Sequence, residues 1–381
     1  MPANGTIKNA NLEKYVDLVL EGGGVKGIAL VGALSILEEE GFLPQNLAGT
    51  SAGAIAATLY AAGYKASELR DIIGSLRFDK FLDPSWEDRI PLVGTPLSIL
   101  KDQGIYEGEY FLKLVSDLLE AKKVRTFRDL VHPEYADQPR FRYKVRVIAS
   151  DITERQLLVL PQDAIKFGIH PDDLNVALAL RMSMSIPIFF EPVKFRNPQT
   201  GREHLIVDGG LLSNYPVWLF DVQGTPDWPT FGLRLVEPSP ATPISDRLPE
   251  PHQARGGIQA VTDYLKSLVQ TMMEFHDRLY IEQADFARTI PISTLGVSST
   301  DFHLSGEHIT GLYQSGRTAA LDFLRTWDFE GYIAEFRSGK EHHRRQIVAE
   351  EIAEGIKKAQ SLKVKEDLEL DLPQPTATQS L

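Results

Sequence analysis

Short apolar runs separated by glycines make up roughly the first sixty residues of the chain. Residues 15–20 are almost continuously apolar and lead into a glycine cluster, the pattern of a short, buried parallel strand. Residues 28–40 predict a helix that ends at Gly41, and residues 46–49 predict the end of a second strand. An alanine-rich helix is predicted over residues 52–62. Because strands and helices alternate, the pattern predicts a parallel sheet covered by helices.

The rest of the chain continues with helices and strands and indicates the same fold class. Helices are predicted over residues 110–120, 174–182, 256–283, 310–327 and 344–363. Strands are predicted over residues 143–149, 157–160 and 230–236, and a further strand is predicted to end at Val207. We therefore predict an α/β fold in three α/β/α layers: a mostly parallel central sheet sandwiched by helices, with extra C-terminal helices. The main domain is expected over residues 13–330, a charged amphipathic helical extension over 331–364 and a disordered tail over 365–381.

Residues 78–104 break the alternation of helices and strands. Three prolines stand there among scattered large apolar residues such as Trp86. A long, partly apolar excursion of this kind is typical of a lid or an interfacial loop, and equally of an ordinary surface insertion. A second apolar stretch, residues 186–190, follows the helix predicted over residues 174–182. Both stretches are candidates for an apolar entrance to a site.

Composition and charge narrow the range of partners. The chain has 381 residues, 43% of them hydrophobic, and a net charge of -12, which argues against nucleic acid because phosphate binding needs clustered Lys and Arg. It contains no cysteine, which excludes disulfides and a thiolate nucleophile and fits a reducing compartment. The first residues lack the apolar stretch of a signal peptide, and the apolar segments are too short to span a bilayer. We expect a soluble cytoplasmic protein.

A G-x-S-x-G sequence centred on Ser51 is the strongest chemical signal. A serine on a tight strand-to-helix turn needs small neighbours two positions before and after it, and Gly49 and Gly53 supply them. Thr50 and Ala52 complete the turn. The dipole of the following helix favours negative charge that develops at its start. The bare motif is common by chance, but its position between a strand and a helix makes Ser51 the candidate nucleophile.

The glycine cluster at residues 22–27 permits two interpretations. It fits G-x-G-x-x-G between a strand and a helix, which is typical of dinucleotide binding. That interpretation expects an acidic residue at the end of the second strand, where this chain has Gly-Thr-Ser at residues 49–51. The alternative, which we favour, is an oxyanion hole in which the backbone N–H groups of Gly23, Gly24 and Val25 point at one spot. The predicted oxyanion loop comprises Gly22, Gly23, Gly24, Val25, Lys26 and Gly27.

A serine hydroxyl needs a proton acceptor, and Asp208 is the best placed candidate. It ends a predicted strand and precedes Gly209 and Gly210, which let another backbone or a ligand come close. The nine histidines lie in no recognisable catalytic setting. The alternative for Asp208 is a carboxylate that caps a turn. Arg181 either holds a phosphate or pairs with an internal carboxylate, and we favour the structural role.

Three motifs, taken in their order along the chain, resemble the patatin-like phospholipase family. They are the glycine cluster, the serine turn and the Asp-Gly-Gly sequence that begins at Asp208. Residues 104–108, 183–192 and 210–216 resemble further blocks of that family, in the same order. The resemblance covers roughly residues 13–240 and is specific as an ordered set.

This resemblance implies an acyl hydrolase with a Ser–Asp dyad and a patatin-like fold. Ser51 would be the nucleophile and Asp208 the base, in a catalytic domain over residues 13–330. Neither a histidine, a metal nor another cofactor is implied in the chemistry. The substrates implied are phospholipids or other acyl lipids, which the enzyme would meet in transient, peripheral contact with a membrane surface.

Two other functions stay open from the residues alone. An ordinary α/β-hydrolase shares the serine turn but uses a Ser–His–Asp triad, which requires a histidine after Asp208 such as His252, His276 or His303. A lipid- or nucleotide-binding regulator without turnover is the second alternative. The sequence gives no oligomeric state and no preference for head group, acyl chain or ester position.

Overall fold

A central β-sheet organises the computed structural model, which describes residues 14–75, 105–187, 190–198, 200–222, 224–237, 283–297, 299, 301 and 304–337. The strands are β1 (Tyr15–Leu20), β2 (Leu43–Thr50), β3 (Val145–Asp151), β4 (Gln156–Leu160), β5 (Val193–Arg196), β6 (Glu203–Asp208), β7 (Thr230–Val236) and β8 (Thr289–Ser293). The helices are α1 (Gly27–Glu39), α2 (Ala52–Ala61), α3 (Ala66–Ser75), α4 (Ile105–Ala121), α5 (Val176–Ser183), α6 (Gln283–Ala287), α7 (Gly306–Thr326) and α8 (Phe329–Tyr332).

The sheet has the strand order β5-β6-β3-β2-β1-β7-β8, and β4 pairs with β3 outside this path. Strands β1, β2, β3, β7 and β8 are parallel to one another. Strands β4 and β6 run antiparallel to β3, and β5 runs antiparallel to β6. The predicted α/β fold is confirmed, and its sheet is mixed because β3 to β4 and β5 to β6 are joined by connections too short for a parallel crossover.

Apolar side chains cover both faces of β1. Val16, Leu18 and Leu20 belong to the main hydrophobic core, together with the apolar residues of α1 and α2. Val19 points to the other face, where it packs in a second cluster with Tyr215, Val217 and Phe220. A strand buried on both faces reads as a continuous apolar run, and this explains the pattern of residues 15–20. The main core and the second cluster therefore hold the sheet from opposite sides.

A buried ionic cluster fastens the last described residues to the body of the protein. Asp221 accepts from Arg288 Nη1 at 2.5 Å and from Arg337 Nη2 at 2.7 Å, and Arg288 Nη2 also binds Asp285 at 2.7 Å. The guanidinium groups of Arg288 and Arg337 are buried. Arg337 is thus bound to a residue far earlier in the chain.

Several predicted elements differ from the structure or lie outside the described residues. The helix predicted from residue 110 begins at Ile105, and α3, β5 and β8 were not predicted. The predicted helices over 256–283 and 344–363, the tail over 365–381 and the apolar stretch over 78–104 lie outside the described residues, apart from residue 283. The domain boundaries therefore stay a prediction.

Candidate active site

Ser51 lies on a strained turn between β2 and α2. Its backbone angles are φ 53° and ψ -125°, a combination that residues other than glycine rarely adopt. A Cβ atom at Gly53 would overlap the carbonyl oxygens of Leu20 and Glu21, so glycine is required where the turn crosses the end of β1. Ser51 is only 1% exposed in this conformation. Ser51 therefore lies on a tight strand-to-helix turn, as the G-x-S-x-G sequence predicts.

The glycine loop packs directly against this turn and is fastened on its other side. Gly22 donates its N–H to the Asn214 carbonyl at 3.0 Å and accepts from Asn214 Nδ2 at 2.9 Å. Gly24 has φ +54°, and a Cβ atom there would overlap the Ser299 carbonyl. Gly27 packs beside Ala52 at the start of α2. The loop is thereby held between the serine turn and the segment that follows Asp208.

The backbone amides at the start of this loop differ in their hydrogen bonding. The N–H groups of Gly23 and Gly24 make no hydrogen bond within the described part of the chain. Val25 departs from the expectation, because its N–H points at the Ser299 carbonyl at 3.4 Å. Lys26, which is 7% exposed, forms no ion pair with any described residue. Successive free N–H groups in such a turn are typical of an anion-binding concavity.

The ends of β2 and β6 meet on one edge of β3. Strand β4 occupies the opposite edge of β3 over residues 147–151. On the shared edge, Thr50 of β2 lies opposite Ile148, and Asp208 of β6 lies opposite Ala149. Two strands that run in opposite directions therefore end at consecutive positions of β3. This junction brings the turn that carries Ser51 beside Asp208, although the two residues lie far apart in the sequence.

Burial makes Asp208 an unusual carboxylate. It has no exposed surface, and it ends β6 as the cap of a short turn in which Oδ1 accepts from the Gly210 N–H at 2.7 Å. Oδ2 has no hydrogen-bond partner among the residues that the structure describes. Desolvation by burial raises the pKa of Asp208 to about 7, against smaller lowering effects from the Gly210 N–H and the Ser51 hydroxyl. The carboxylate is both a turn cap, as one interpretation expected, and a group with a free oxygen and a pKa suited to a base.

The Ser51 hydroxyl has a second neighbour at this junction. Its Oγ lies 3.3 Å from Met184 Sδ, a weak acceptor. It also lies near enough to Asp208 to lower the pKa of that carboxyl. The thioether and the carboxyl group are therefore both neighbours of this hydroxyl. Catalytic hydrogen bonds often tighten only when substrate binds.

The other residues singled out from the sequence have structural contacts. Thr50 donates its hydroxyl to the Ser213 carbonyl at 3.2 Å. Arg181 is buried and donates to the hydroxyl of Ser185 and to the backbone carbonyl of Glu191. His204 binds Asp151 with Nδ1 to Oδ2 at 2.8 Å, and it contacts neither Ser51 nor Asp208.

His252, His276 and His303 lie outside the described residues. The described histidines, at positions 132, 170, 204 and 308, form no hydrogen bond with the Asp208 carboxylate, which accepts from the Gly210 N–H.

Comparisons with known proteins agree with the motifs and this geometry. A family profile described as "Patatin-like phospholipase" matches residues 18–221. The chain is 37% identical over 316 residues to the uncharacterized protein YqhO of Bacillus subtilis, and the match covers 83% of this chain and 100% of that protein. The chain belongs to the patatin-like phospholipase family. This membership supports lipid hydrolysis as the class of activity.

Proteins of lower sequence identity also match. A probable lipid hydrolase, 463L, of Invertebrate iridescent virus 6 is 26% identical over 204 residues, which cover 53% of this chain and 62% of that protein. Among solved structures, VipD from Legionella pneumophila is similar with a TM-score of 0.49 at 18% identity, covering 82% of this chain and 67% of that one.

Two further properties of this patatin-like chain concern the described residues only. None of their helices combines the length and the apolarity that a membrane crossing needs. Their His, Asp and Glu side chains form no group of three or more that could hold a metal ion.

Sequence reasoning missed several groups that build this site. Ser183 Oγ accepts from the Ser51 N–H, and Asn214 Nδ2 donates to the Gly22 carbonyl. The Ser299 carbonyl accepts from the Val25 N–H. Ser183 and Asn214 stand in blocks that resemble the family, but nothing in the residue types shows which backbone groups they bind. Ser299 lies in a region where the sequence offered no motif.

We expect kcat/KM for a soluble ester to rise with pH around a midpoint near 7, because burial raises the pKa of Asp208 to about 7 and only the ionised carboxylate can accept a proton. The profile should fall about tenfold per pH unit well below that midpoint. A pH–rate series with a p-nitrophenyl ester would measure it. A midpoint near the ordinary value of an aspartic acid, 3.8, would contradict the assignment of the base.

Proposed function

We propose that this protein is a carboxylic ester hydrolase that cleaves fatty-acyl esters of lipids through a Ser51–Asp208 dyad. The observation that supports this most is the junction on β3, where a strained serine turn ends beside a buried carboxylate with one free oxygen. Membership of the patatin-like phospholipase family agrees with it. The activity would be of the phospholipase A or lysophospholipase type.

In the proposed first step, Asp208 Oδ2 accepts the Ser51 proton while Oγ attacks the ester carbonyl carbon. The carbonyl oxygen becomes an oxyanion, and the free N–H groups of Gly23 and Gly24 donate to it. When the tetrahedral intermediate collapses, the bond to the alcohol breaks and Asp208 returns the proton to the departing alkoxide oxygen. An acyl-enzyme and a free alcohol result.

The second step repeats this chemistry with water. Asp208 accepts a proton from a water molecule while the oxygen of that water attacks the acyl carbon. The same amides stabilise the oxyanion. Collapse returns the proton to Ser51 Oγ and releases the fatty acid. A single preorganised donor of this kind is worth about 100- to 1,000-fold in turnover, so two free amides are a substantial part of the expected rate.

The raised pKa of Asp208 suits this role. A carboxylate with an ordinary pKa of 3.8 accepts a hydroxyl proton poorly, whereas one near 7 combines stronger basicity with partial ionisation at neutral pH. The same environment thus explains why an aspartate could serve without an imidazole.

We propose acyl lipids as substrates and a transient, peripheral encounter with a membrane surface as the route to them. The name of the viral relative 463L, a probable lipid hydrolase, agrees with such a substrate class. A net charge of -12 disfavours nucleic acid as a partner and disfavours broad attraction to anionic lipid. A cytoplasmic location is part of this proposal.

Incubation of the purified protein with phosphatidylcholine vesicles, lysophosphatidylcholine and a triacylglycerol emulsion tests the function. We expect release of free fatty acid from at least one of them, unaffected by EDTA, and labelling of Ser51 by a fluorophosphonate, located by mass spectrometry. Binding of NAD or ATP without labelling would instead support the regulator. Loss of hydrolysis in His252→Ala, His276→Ala or His303→Ala would support the triad.

A further inference from the structure

Ser183, the last residue of α5, and the next two residues, Met184 and Ser185, lie at the junction between β2 and β6. We call these three residues the bridging turn. Ser51 donates its backbone N–H to Ser183 Oγ at 2.9 Å. The Ser183 hydroxyl donates in turn to the Ile148 carbonyl of β3 at 2.6 Å. Ser183 has no exposed surface. Its hydroxyl therefore links the backbone of the nucleophile to β3 at the point where β2 ends.

The same turn holds the base. Asp208 donates its backbone N–H to the Ser185 carbonyl at 2.9 Å. Between the two serines, Met184 places Sδ 3.3 Å from Ser51 Oγ. Three consecutive residues thus contact the nucleophile's backbone, its hydroxyl and the backbone of the carboxylate.

The bridging turn is itself fixed in place. Ser185 Oγ donates to the Arg181 carbonyl at 2.7 Å and accepts from Arg181 Nη1. The other end of this guanidinium donates to the Glu191 carbonyl at 3.0 Å. Arg181 and Ser185 are both buried. These contacts tie the turn to α5 on one side and to the segment before β5 on the other.

We infer that Ser183 is a positioning residue for the nucleophile and that the bridging turn sets the geometry between Ser51 and Asp208. This inference rests on the proposed function. A strained backbone such as that of Ser51 persists only where its surroundings fix it, and Ser183 supplies one of those anchors. Without the hydroxyl, the Ser51 N–H and the Ile148 carbonyl lose their common partner. A displacement of the nucleophile by about 1 Å can reduce turnover about 100-fold.

A comparison of Ser183→Thr with Ser183→Val tests this. The two side chains have nearly the same shape, so any strain from the added bulk is common to both variants, and only threonine keeps a hydroxyl. We expect kcat for a p-nitrophenyl ester to be about 10- to 100-fold lower in the valine variant than in the threonine variant, with KM within about twofold. The rate constant for fluorophosphonate labelling of Ser51 should fall in parallel.

The pH profile distinguishes a displaced nucleophile from a general loss of structure. Ser183→Val leaves the bond between the Asp208 N–H and the Ser185 carbonyl in place, so the midpoint of kcat/KM should stay near its wild-type value while the amplitude falls. Active-site titration corrects each rate for the folded fraction. Ser35→Ala, which removes another buried serine hydroxyl that donates to the Gly32 carbonyl at 2.7 Å in α1, is the matched control and should keep kcat within about twofold.

The kinetics of the threonine and valine variants decide whether Ser183 positions the nucleophile. Equal kcat values and labelling rates in the threonine and valine variants would overturn the role of Ser183 while the proposed function stands, provided that the wild-type protein hydrolyses esters and Ser51→Ala does not. If the wild-type protein neither hydrolyses an ester nor reacts with the fluorophosphonate, the proposed function fails and the positioning role falls with it. The inference is supported if kcat and the rate constant for labelling both fall in the valine variant and not in the threonine variant.

Discussion

Replacing Ser51 by alanine is expected to abolish ester hydrolysis and fluorophosphonate labelling while the fold is retained. The hydroxyl supplies the only atom in the proposed mechanism that bonds covalently to the acyl group, so no partial function should survive beyond the contribution of the oxyanion loop. We expect kcat to fall by about 10,000-fold or more. Assays with a soluble ester and with lipid vesicles would measure this loss.

The alanine variant should fold because the Ser51 side chain contributes little to packing. Its hydroxyl has Met184 Sδ as its hydrogen-bond partner, a weak acceptor, and the backbone bond to Ser183 does not involve the side chain. Circular dichroism and thermal unfolding should therefore match the wild-type protein within a few degrees. Undiminished hydrolysis in a well-folded alanine variant would show that another residue carries the acyl group.

Substituting Asp208 by asparagine is expected to lower kcat by about 100- to 10,000-fold, the usual contribution of a positioned general base. The amide has the same shape, and its oxygen can still accept from the Gly210 N–H as Oδ1 does at 2.7 Å. It cannot take the Ser51 proton. Single-turnover acylation, followed with a chromogenic ester, would measure the loss directly. Near-wild-type turnover would rule out the dyad.

The same variant should be more stable than the wild-type protein at neutral and higher pH. Burial raises the pKa of Asp208 from 3.8 to about 7, so the folded protein binds this proton more tightly than the unfolded chain. The contribution of Asp208 to stability is therefore most favourable below pH 3.8 and is lost as the pH rises through about 7. Thermal unfolding of both proteins across this range should show the difference growing with pH and levelling off above the midpoint.

Asp17→Asn provides the matched control for the kinetic measurement; it is no control for stability, because Asp17 Oδ2 also pairs with Arg140 at 3.6 Å. Asp17 is also completely buried, and burial raises its pKa as well, but it lies near the start of β1, whereas Ser51 follows the end of the neighbouring parallel strand. Its Oδ1 accepts from Asn46 and Trp228, and an asparagine oxygen can keep both bonds. We expect kcat to stay within about twofold, because the change does not touch the junction on β3.

The N-terminal part of the fold could be predicted well from the sequence. β1 has the predicted bounds, and α1 and α2 each lie within one residue of the prediction, because glycines separate buried apolar runs there. β8 and α3 were missed for different reasons. β8 is a short strand that includes Pro291, and α3 has only Ala66, Leu69 and Ile73 buried along one face. Such weak patterns become strands or helices only through contacts with the rest of the protein.

The candidate site could be predicted in its parts but not in its arrangement. Ser51 and Asp208 follow from turn chemistry and from the end of a strand, both of which are local. Their proximity depends on β2 and β6 sharing one edge of β3, which requires the strand order. The role of Ser183 could not be predicted either, because its partners are backbone groups, which every residue carries.

The junction on β3 also has a consequence for biosynthesis. During translation, Ser51 is synthesised well before β6, which carries Asp208. Strands β2 and β6 run in opposite directions along β3. Until β6 has docked, the emerging polypeptide holds a hydroxyl without a partner to withdraw its proton. If the proposed dyad is correct, a partly synthesised chain that still lacks β6 should therefore show no hydrolysis, because its serine has no base.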